Sequence, residues 1–238
     1  MSLAKLPFIL TAALGFHVAV TSPNAPSRDE AVVPTGISES ILLPIIIWGH
    51  PLLKGVYWAG TVAEVTTILT PYISSLLPPS IRSILDLLGS HKMANMPITR
   101  PYMLGSGLVV FAGLLRWFCY RELGRLFTFA LSFRKGHRLV TTGPYSVVRH
   151  PSYTGAIISM AGICIMHGSR GSWLRESGVL DMIGVKELVF AWVAVRFLAI
   201  ASLVKRIPKE DDMMKASFQE EWLGWASRVK YRLIPGIY

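Results

Sequence analysis

Charge is scarce in this chain and acid scarcer still: 16% of the 238 residues are charged, with 14 Asp and Glu against 24 Lys and Arg. Ordinary soluble domains carry about 25% charged residues, so a surface bathed in water along its whole length is excluded. Cysteine is nearly absent. Cys119 and Cys164 stand far apart in or beside apolar stretches, which excludes a disulfide framework and a cysteine-based metal motif. Gly105-Ser106-Gly107 lacks the third glycine of a dinucleotide fingerprint and follows no strand. His137 and His150 have no third ligand at metal-site spacing, and His17, His50, His91 and His167 carry no pattern, so no metal is expected. Internal repeats and low-complexity tracts are lacking. The final residues, Gly236-Ile237-Tyr238, match neither a prenylation box nor a retention tetrapeptide.

What is plentiful is hydrocarbon. With 52% hydrophobic residues and a mean hydropathy of +0.46, the chain reads as an all-α, polytopic membrane bundle of about five transmembrane helices. Residues 6–20 form an apolar run short enough for a signal-peptide core and just long enough for a thin span. Residues 21–40 read as a polar loop. Residues 41–48 read as a half-buried or interfacial segment broken by Gly49-His50-Pro51. A full span follows at 56–77, with Glu64 near its middle, where it either lines a cavity or bonds to a neighbouring helix. Residues 82–100 connect, with room for a short amphipathic helix. The span at 102–118 carries Gly105, Gly107 and Gly113, which invite close helix approach. The basic, aromatic stretch 120–138 reads as a helix lying along the interface. Residues 152–204 form a helical hairpin, and a charged tail begins at Lys205, where Pro208 followed by acids is a helix-start signal. Met213, Met214, Phe218, Trp222 and Trp225 fall at helical spacing, as one face packed on the protein or the interface. The whole reads as one unit, with variable membrane helices at 1–101 and a functional core at 102–238.

The net charge of +10 would suggest nucleic acid in a soluble protein, but here the basic residues cluster at the ends of apolar segments, the positive-inside pattern of a membrane partner. From Arg121 to Arg149 there are six Lys or Arg against one acid, and from Lys205 to Tyr238 seven against five. Both stretches flank the hairpin and share one side, expected to be cytoplasmic. Parity then places a retained first helix across the membrane. Arg196, mid-span in the last apolar segment, either lines a cavity or pairs with Glu64.

The stretch from Gly136 to Gly155 is not a span. It is rich in hydrogen-bonding and aromatic groups, and Pro144 and Pro151 bias Gly143 and His150 towards extended geometry. A fixed loop leading into a helix follows, either a site or a basic connector that touches lipid headgroups.

His137-x-Leu139-Val140-x-x-Gly143-x-Tyr145-x-x-x-Arg149-His150-Pro151-Ser152-Tyr153-x-Gly155, then a hairpin, then Arg206-x-x-x-Glu210 and Phe218-x-x-Glu221-Trp222 before Pro235, resembles the isoprenylcysteine carboxyl methyltransferases. The resemblance covers about the last hundred residues, and its first block is gap-free. Where that family often has a run of glutamates after the arginine, Pro208 and Lys209 stand here and Glu210 is the matching acid. The resemblance implies an endoplasmic-reticulum membrane enzyme with a cytosolic C-terminus. It would transfer a methyl group from S-adenosylmethionine to the C-terminal carboxylate of a prenylated protein entering from the bilayer. Carried over position by position, His137, Leu139, Val140, Tyr145, His150, Pro151, Ser152, Tyr153 and Glu210 would hold S-adenosylmethionine, and Arg206 would face the substrate carboxylate.

A carboxylate acceptor is already ionised at neutral pH, so the reaction needs positioning more than a general base. Arginine suits that task, because its planar fork orients a carboxylate while staying charged. The alternatives are a phospholipid amine methyltransferase, which would need a proton acceptor, and a non-catalytic membrane scaffold.

Overall fold

The computed structural model describes residues 2–24, 37–87, 97–130 and 136–238. Within them the chain is helical and carries no strand. The helices are α1 (Leu6–Ala19), α2 (Ile37–Pro44), α3 (His50–Ile73), α4 (Pro79–Leu87), α5 (Arg100–Leu123), α6 (Pro151–Gly168), α7 (Trp173–Glu176) and α8 (Val185–Arg228). Three stretches, Ser40–Ile73, Arg100–Leu126 and Val185–Arg228, are long and apolar enough to cross a membrane, and α1 is a shorter apolar helix. The chain is a helical membrane bundle, as its composition requires.

Glycine sets how closely the central helices meet. A Cβ on Gly105 of α5 would lie 2.4 Å from the Met166 nitrogen of α6, and one on Gly113 would lie 2.6 Å from Cα of Gly15 in α1. Contact at backbone range replaces the hydrophobic drive that lipid-bathed helices lack. Gly107 departs from expectation, since nothing lies within 4 Å of its Cβ position. α3 and α8 close the bundle: Phe16 meets Tyr57 at 4.3 Å between ring centroids, and Trp192 Nε1 donates to the Leu53 carbonyl at 3.0 Å. Glu64 bonds to a neighbouring helix, pairing with Lys5 Nζ at 3.7 Å where the side chains are 0% and 2% exposed. Arg196 therefore has a different environment, described below.

Three sequence expectations fail. Gly49-His50-Pro51 does not break the chain; a π-turn at Ile45–Gly49 joins α2 to α3. In this wider turn the His50 N–H donates to the Ile45 carbonyl, five residues back, and Pro51 falls in the first turn of α3, where its missing N–H is tolerated. The stretch 120–138 is no interfacial helix: α5 runs on to Leu123, a 3-10 turn covers Gly124–Leu126, and residues 127–130 fold in without helix, with 131–135 outside the described residues. Pro208 starts no helix but lies inside α8, which continues from the apolar segment into the charged one. The backbone instead departs from helical geometry at Gln219, with φ of 43° and ψ of −112°. Of the connector expected at 82–100, residues 82–87 belong to α4, which begins at Pro79, and 88–96 lie outside the described residues.

Candidate functional site

The loop before α6 is held from below by the C-terminal strap. Arg149 N donates to the Tyr231 carbonyl at 2.9 Å, His150 N to Arg232 O at 2.8 Å, and Thr154 Oγ1 to Leu233 O at 2.7 Å. Trp225 Nε1 donates to the Tyr145 carbonyl at 3.1 Å. The turn at Gln219 brings the last part of α8 round to make this contact. Trp222, Trp225 and Val229 then pack with Cys119, Leu139 and Tyr145, with Met214 and Phe218 against them. The aromatic stripe is thus packed on the protein.

The loop carries a 3-10 turn at Gly143–Ser146 and enters α6 with Pro151 in its first turn, where the missing N–H costs nothing. Gly143 is not extended as its following proline suggested: its φ is +57°, and a Cβ there would lie 2.8 Å from Cγ of Glu122. Only glycine meets both demands at low cost.

Loop, hairpin and α8 enclose a cavity of about 210 Å³. His137, Leu139, Val140, Tyr145, His150, Ser152, Tyr153, Arg206 and Glu210 all line it, whereas Pro151 does not. From α8 the lining residues Arg196, Ala199, Leu203, Arg206 and Glu210 recur every three or four positions, one helix face turned inward.

At one end of the cavity lies an interlocked charge network. Glu210 receives Arg206 Nε at 2.9 Å, the Tyr153 hydroxyl at 2.5 Å, and lies 3.3 Å from His150 Nδ1. His150 Nε2 lies 3.1 Å from Asp211 Oδ1, and Asp211 Oδ2 accepts from Arg149 at 2.9 Å and Arg232 at 3.0 Å. Arg206 also donates to the Phe129 carbonyl at 3.1 Å and to the Tyr153 hydroxyl. Burial works to lower the pKa of His150, but the hydrogen bonds and charges of Asp211 and Glu210 outweigh it and the net shift is upward. Burial alone depresses the His137 imidazole, and burial first, with Cys119 beside it, pushes the Tyr145 phenol well above its ordinary value.

Sequence reading missed Asp211, Arg116 and the site role of Arg149, while of the two alternatives open for Arg196 it is the cavity that the residue meets. Asp211 was legible only as the neighbour of Glu210; successive residues on a helix point about 100° apart, so both reach His150 only because the imidazole presents two nitrogens between them. Several polar atoms in cavity-lining residues are buried without a hydrogen-bond partner: Ser152 Oγ, Trp222 Nε1, Arg149 Nε, Arg196 Nε and His50 Nδ1. Buried polar groups are normally satisfied, so such a set lining one cavity marks a place made for a polar guest. Among the described residues no group of His, Cys, Asp and Glu could hold a metal ion.

Comparison with known proteins points the same way. Residues 104–173 match the family model described as isoprenylcysteine carboxyl methyltransferase. That range contains the whole block from His137 to Gly155 but neither Arg206 nor Glu210. The chain is 30% identical over 127 residues to protein-S-isoprenylcysteine O-methyltransferase B of Arabidopsis thaliana, covering 52% of this chain and 55% of that protein. It is 28% identical over 124 residues to protein-S-isoprenylcysteine O-methyltransferase A of the same plant, covering 51% and 53%. A Delta(14)-sterol reductase of Neurospora crassa is 24% identical over 123 residues, 45% of this chain and 25% of that protein. The chain thus spans about half the length of the methyltransferases it matches. No solved structure matches it. The resemblance carried by the loop is borne out.

Proposed function

We propose that this protein methylates the C-terminal carboxylate of prenylated cysteine, with S-adenosylmethionine as donor, at the cytosolic face of the endoplasmic reticulum membrane. One observation carries the reading. The residues that the resemblance assigns to donor and acceptor, separated by up to 73 positions from His137 to Glu210, line a single cavity with Pro151 alone outside it.

The donor set fits S-adenosylmethionine by its chemistry. Glu210 and Asp211 offer carboxylates to an ammonium or ribose hydroxyls. Ser152 Oγ and Trp222 Nε1 lack partners, and Tyr145, Tyr153 and Leu139 offer apolar and aromatic surface. His137, Val140 and His150 complete the grip, with Pro151 fixing the start of α6 beneath it. When bound, S-adenosylmethionine supplies an electrophilic methyl group to the acceptor oxygen.

This chain's residues supply positioning. Arg206 faces the acceptor carboxylate, its fork held still by Tyr153, Glu210 and the Phe129 carbonyl. Holding reactants in line and apart from water can remove several kcal/mol of barrier, up to about 7–11 in well-oriented cases. No side chain has to take a proton, because the acceptor is already an anion. A phosphatidylethanolamine-type acceptor fits less well. It would need a proton acceptor, and despite burial the cations around Glu210 and Asp211 hold both carboxyls below their ordinary pKa, so they can accept further hydrogen bonds but are poor bases.

The test is transfer of labelled methyl from S-adenosylmethionine in membranes containing the protein, to N-acetyl-S-farnesylcysteine or to phosphatidylethanolamine. A base-labile labelled ester on the first supports the reading. Label only in the phospholipid, or no binding of S-adenosylmethionine at all, rejects it in favour of the amine enzyme or a scaffold.

A further inference from the structure

The arginines that line the cavity differ in what faces them. Where α6 meets the charged part of α8, Arg206 is paired with Glu210, and Arg149 and Arg232 with Asp211. The Arg206 charge is therefore offset by its own partner. Arg196, Arg116 and His50 also line the cavity, with apolar walls from Leu42, Ile46 and Ile200.

Arg196 is buried, 4% exposed, and its Nε has no hydrogen-bond partner. Among the described residues no carboxylate pairs with it; its recorded neighbour is the Phe16 ring, 5.7 Å from the guanidinium carbon. Arg116 spends its donors on neutral partners, Ser152 O and the Tyr120 hydroxyl, each at 2.9 Å. A buried guanidinium without a counter-ion is costly in low dielectric, and structures that retain one normally supply an anion to it. Here the described residues supply none, and Arg196 lines open cavity beside the apolar side chains of Leu42, Ile46 and Ile200.

We infer that Arg196, backed by Arg116, makes the cavity select an amphiphile with an anionic head: the carboxylate of the lipidated acceptor. This rests on the reading proposed above and deepens it by separating two tasks. Arg206, paired with Glu210, orients the head group; Arg196, with no acid beside it among the described residues, adds the positive charge that draws a desolvated carboxylate from the interface and rejects a neutral analogue. The apolar side chains on α2 and α8 beside Arg196 receive the start of the hydrocarbon chain.

The inference is tested by binding in lipid nanodiscs, without turnover. N-acetyl-S-farnesylcysteine and its C-terminal carboxamide are titrated against the wild type, Arg196→Gln and Arg196→Lys, and S-adenosylhomocysteine is titrated against each. The wild type should prefer the carboxylate by about 10- to 100-fold, the range of one charge-assisted interaction. Arg196→Gln should reduce that preference to about threefold or less with S-adenosylhomocysteine affinity held within about twofold, and Arg196→Lys should keep most of it. The inference is overturned if the wild type shows no preference, if Arg196→Gln keeps it, or if Arg196→Gln loses S-adenosylhomocysteine binding to the same extent, which would assign Arg196 to the donor or the fold. Carboxylate preference without methyl transfer would sink the proposed activity and leave the inference standing. Methyl transfer without such preference would sink the inference alone.

Discussion

Arg206 Nε donates to Glu210 Oε1 at 2.9 Å, one helical turn apart on a face of α8 that looks into the cavity. Both contact the Tyr153 hydroxyl, but beyond it their partners differ: Arg206 reaches the Phe129 carbonyl, while Glu210 reaches His150 at the start of α6. Replacing them should therefore fail differently. Arg206→Ala should keep S-adenosylmethionine affinity within a few-fold, since His150 still faces Glu210, and lower methyl transfer by about 100-fold or more through lost acceptor positioning. Glu210→Ala should weaken both binding and transfer. Isothermal titration beside the labelled-methyl assay reads the split; normal turnover in Arg206→Ala would remove it from the acceptor site.

His150 gives the site a pH dependence with a definite sign. Despite burial, Asp211 and Glu210 raise its pKa above the ordinary 6.5. A group whose folded pKa is raised contributes stability that is complete below the unfolded value and is lost as pH rises through the folded one. The stability advantage of wild type over His150→Gln should thus be largest below about pH 6.5 and shrink above the raised pKa, read as the difference in Tm from roughly pH 5.5 to 9. A difference flat across that range would show that the imidazole does not titrate against the two acids.

The loop was legible in the sequence because its information is local. Pro151 fixes a helix start and the donors before it are dense, although the turn at Gly143, read as extended, was not foreseen. Its closing partner was harder. Arg206 and Glu210 were found by resemblance, but their helix was misjudged at Pro208, since a proline followed by acids reads as a helix start whenever nothing shows that tertiary contacts carry the helix through it. The true break, at Gln219, has no sequence signal, because glutamine seldom adopts positive φ. Arg196 shows the same limit. Its position mid-span was evident, but whether it met Glu64 or a cavity depended on Lys5, distant in sequence and paired with Glu64 through folding alone.

Two glycines of one helix should respond oppositely to the same change. Gly105→Ala would drive a methyl group into the α6 backbone at Met166 and force α5 and α6 apart, costing about 1–3 kcal/mol or more. Gly107→Ala meets nothing within 4 Å and should stabilise by about 0.5–1 kcal/mol through helix propensity. Thermal unfolding in one detergent compares them. Equal destabilisation would mean that the α5–α6 contact is not at backbone range.

Lys5 and Glu64 offer the sharpest test of the bundle itself. Their side chains, buried at 0% and 2% exposure, tie α3 to the chain just before α1, and the Lys5 ammonium also donates to the Gly171 carbonyl beyond α6. Removing one partner leaves a charge stranded in low dielectric, so Lys5→Met or Glu64→Leu alone should destabilise by about 3–5 kcal/mol. Removing both eliminates the stranded charge and substitutes hydrocarbon of similar volume. The double variant should then recover most of the loss, short by the cost of the unpaired Gly171 carbonyl, about 1–3 kcal/mol. A double-mutant cycle from reversible unfolding gives the coupling directly. If the two single losses simply add, the pair is not an interacting unit, and α1 is held by its other contacts, Gly15 against Gly113 and Phe16 against Tyr57 among them.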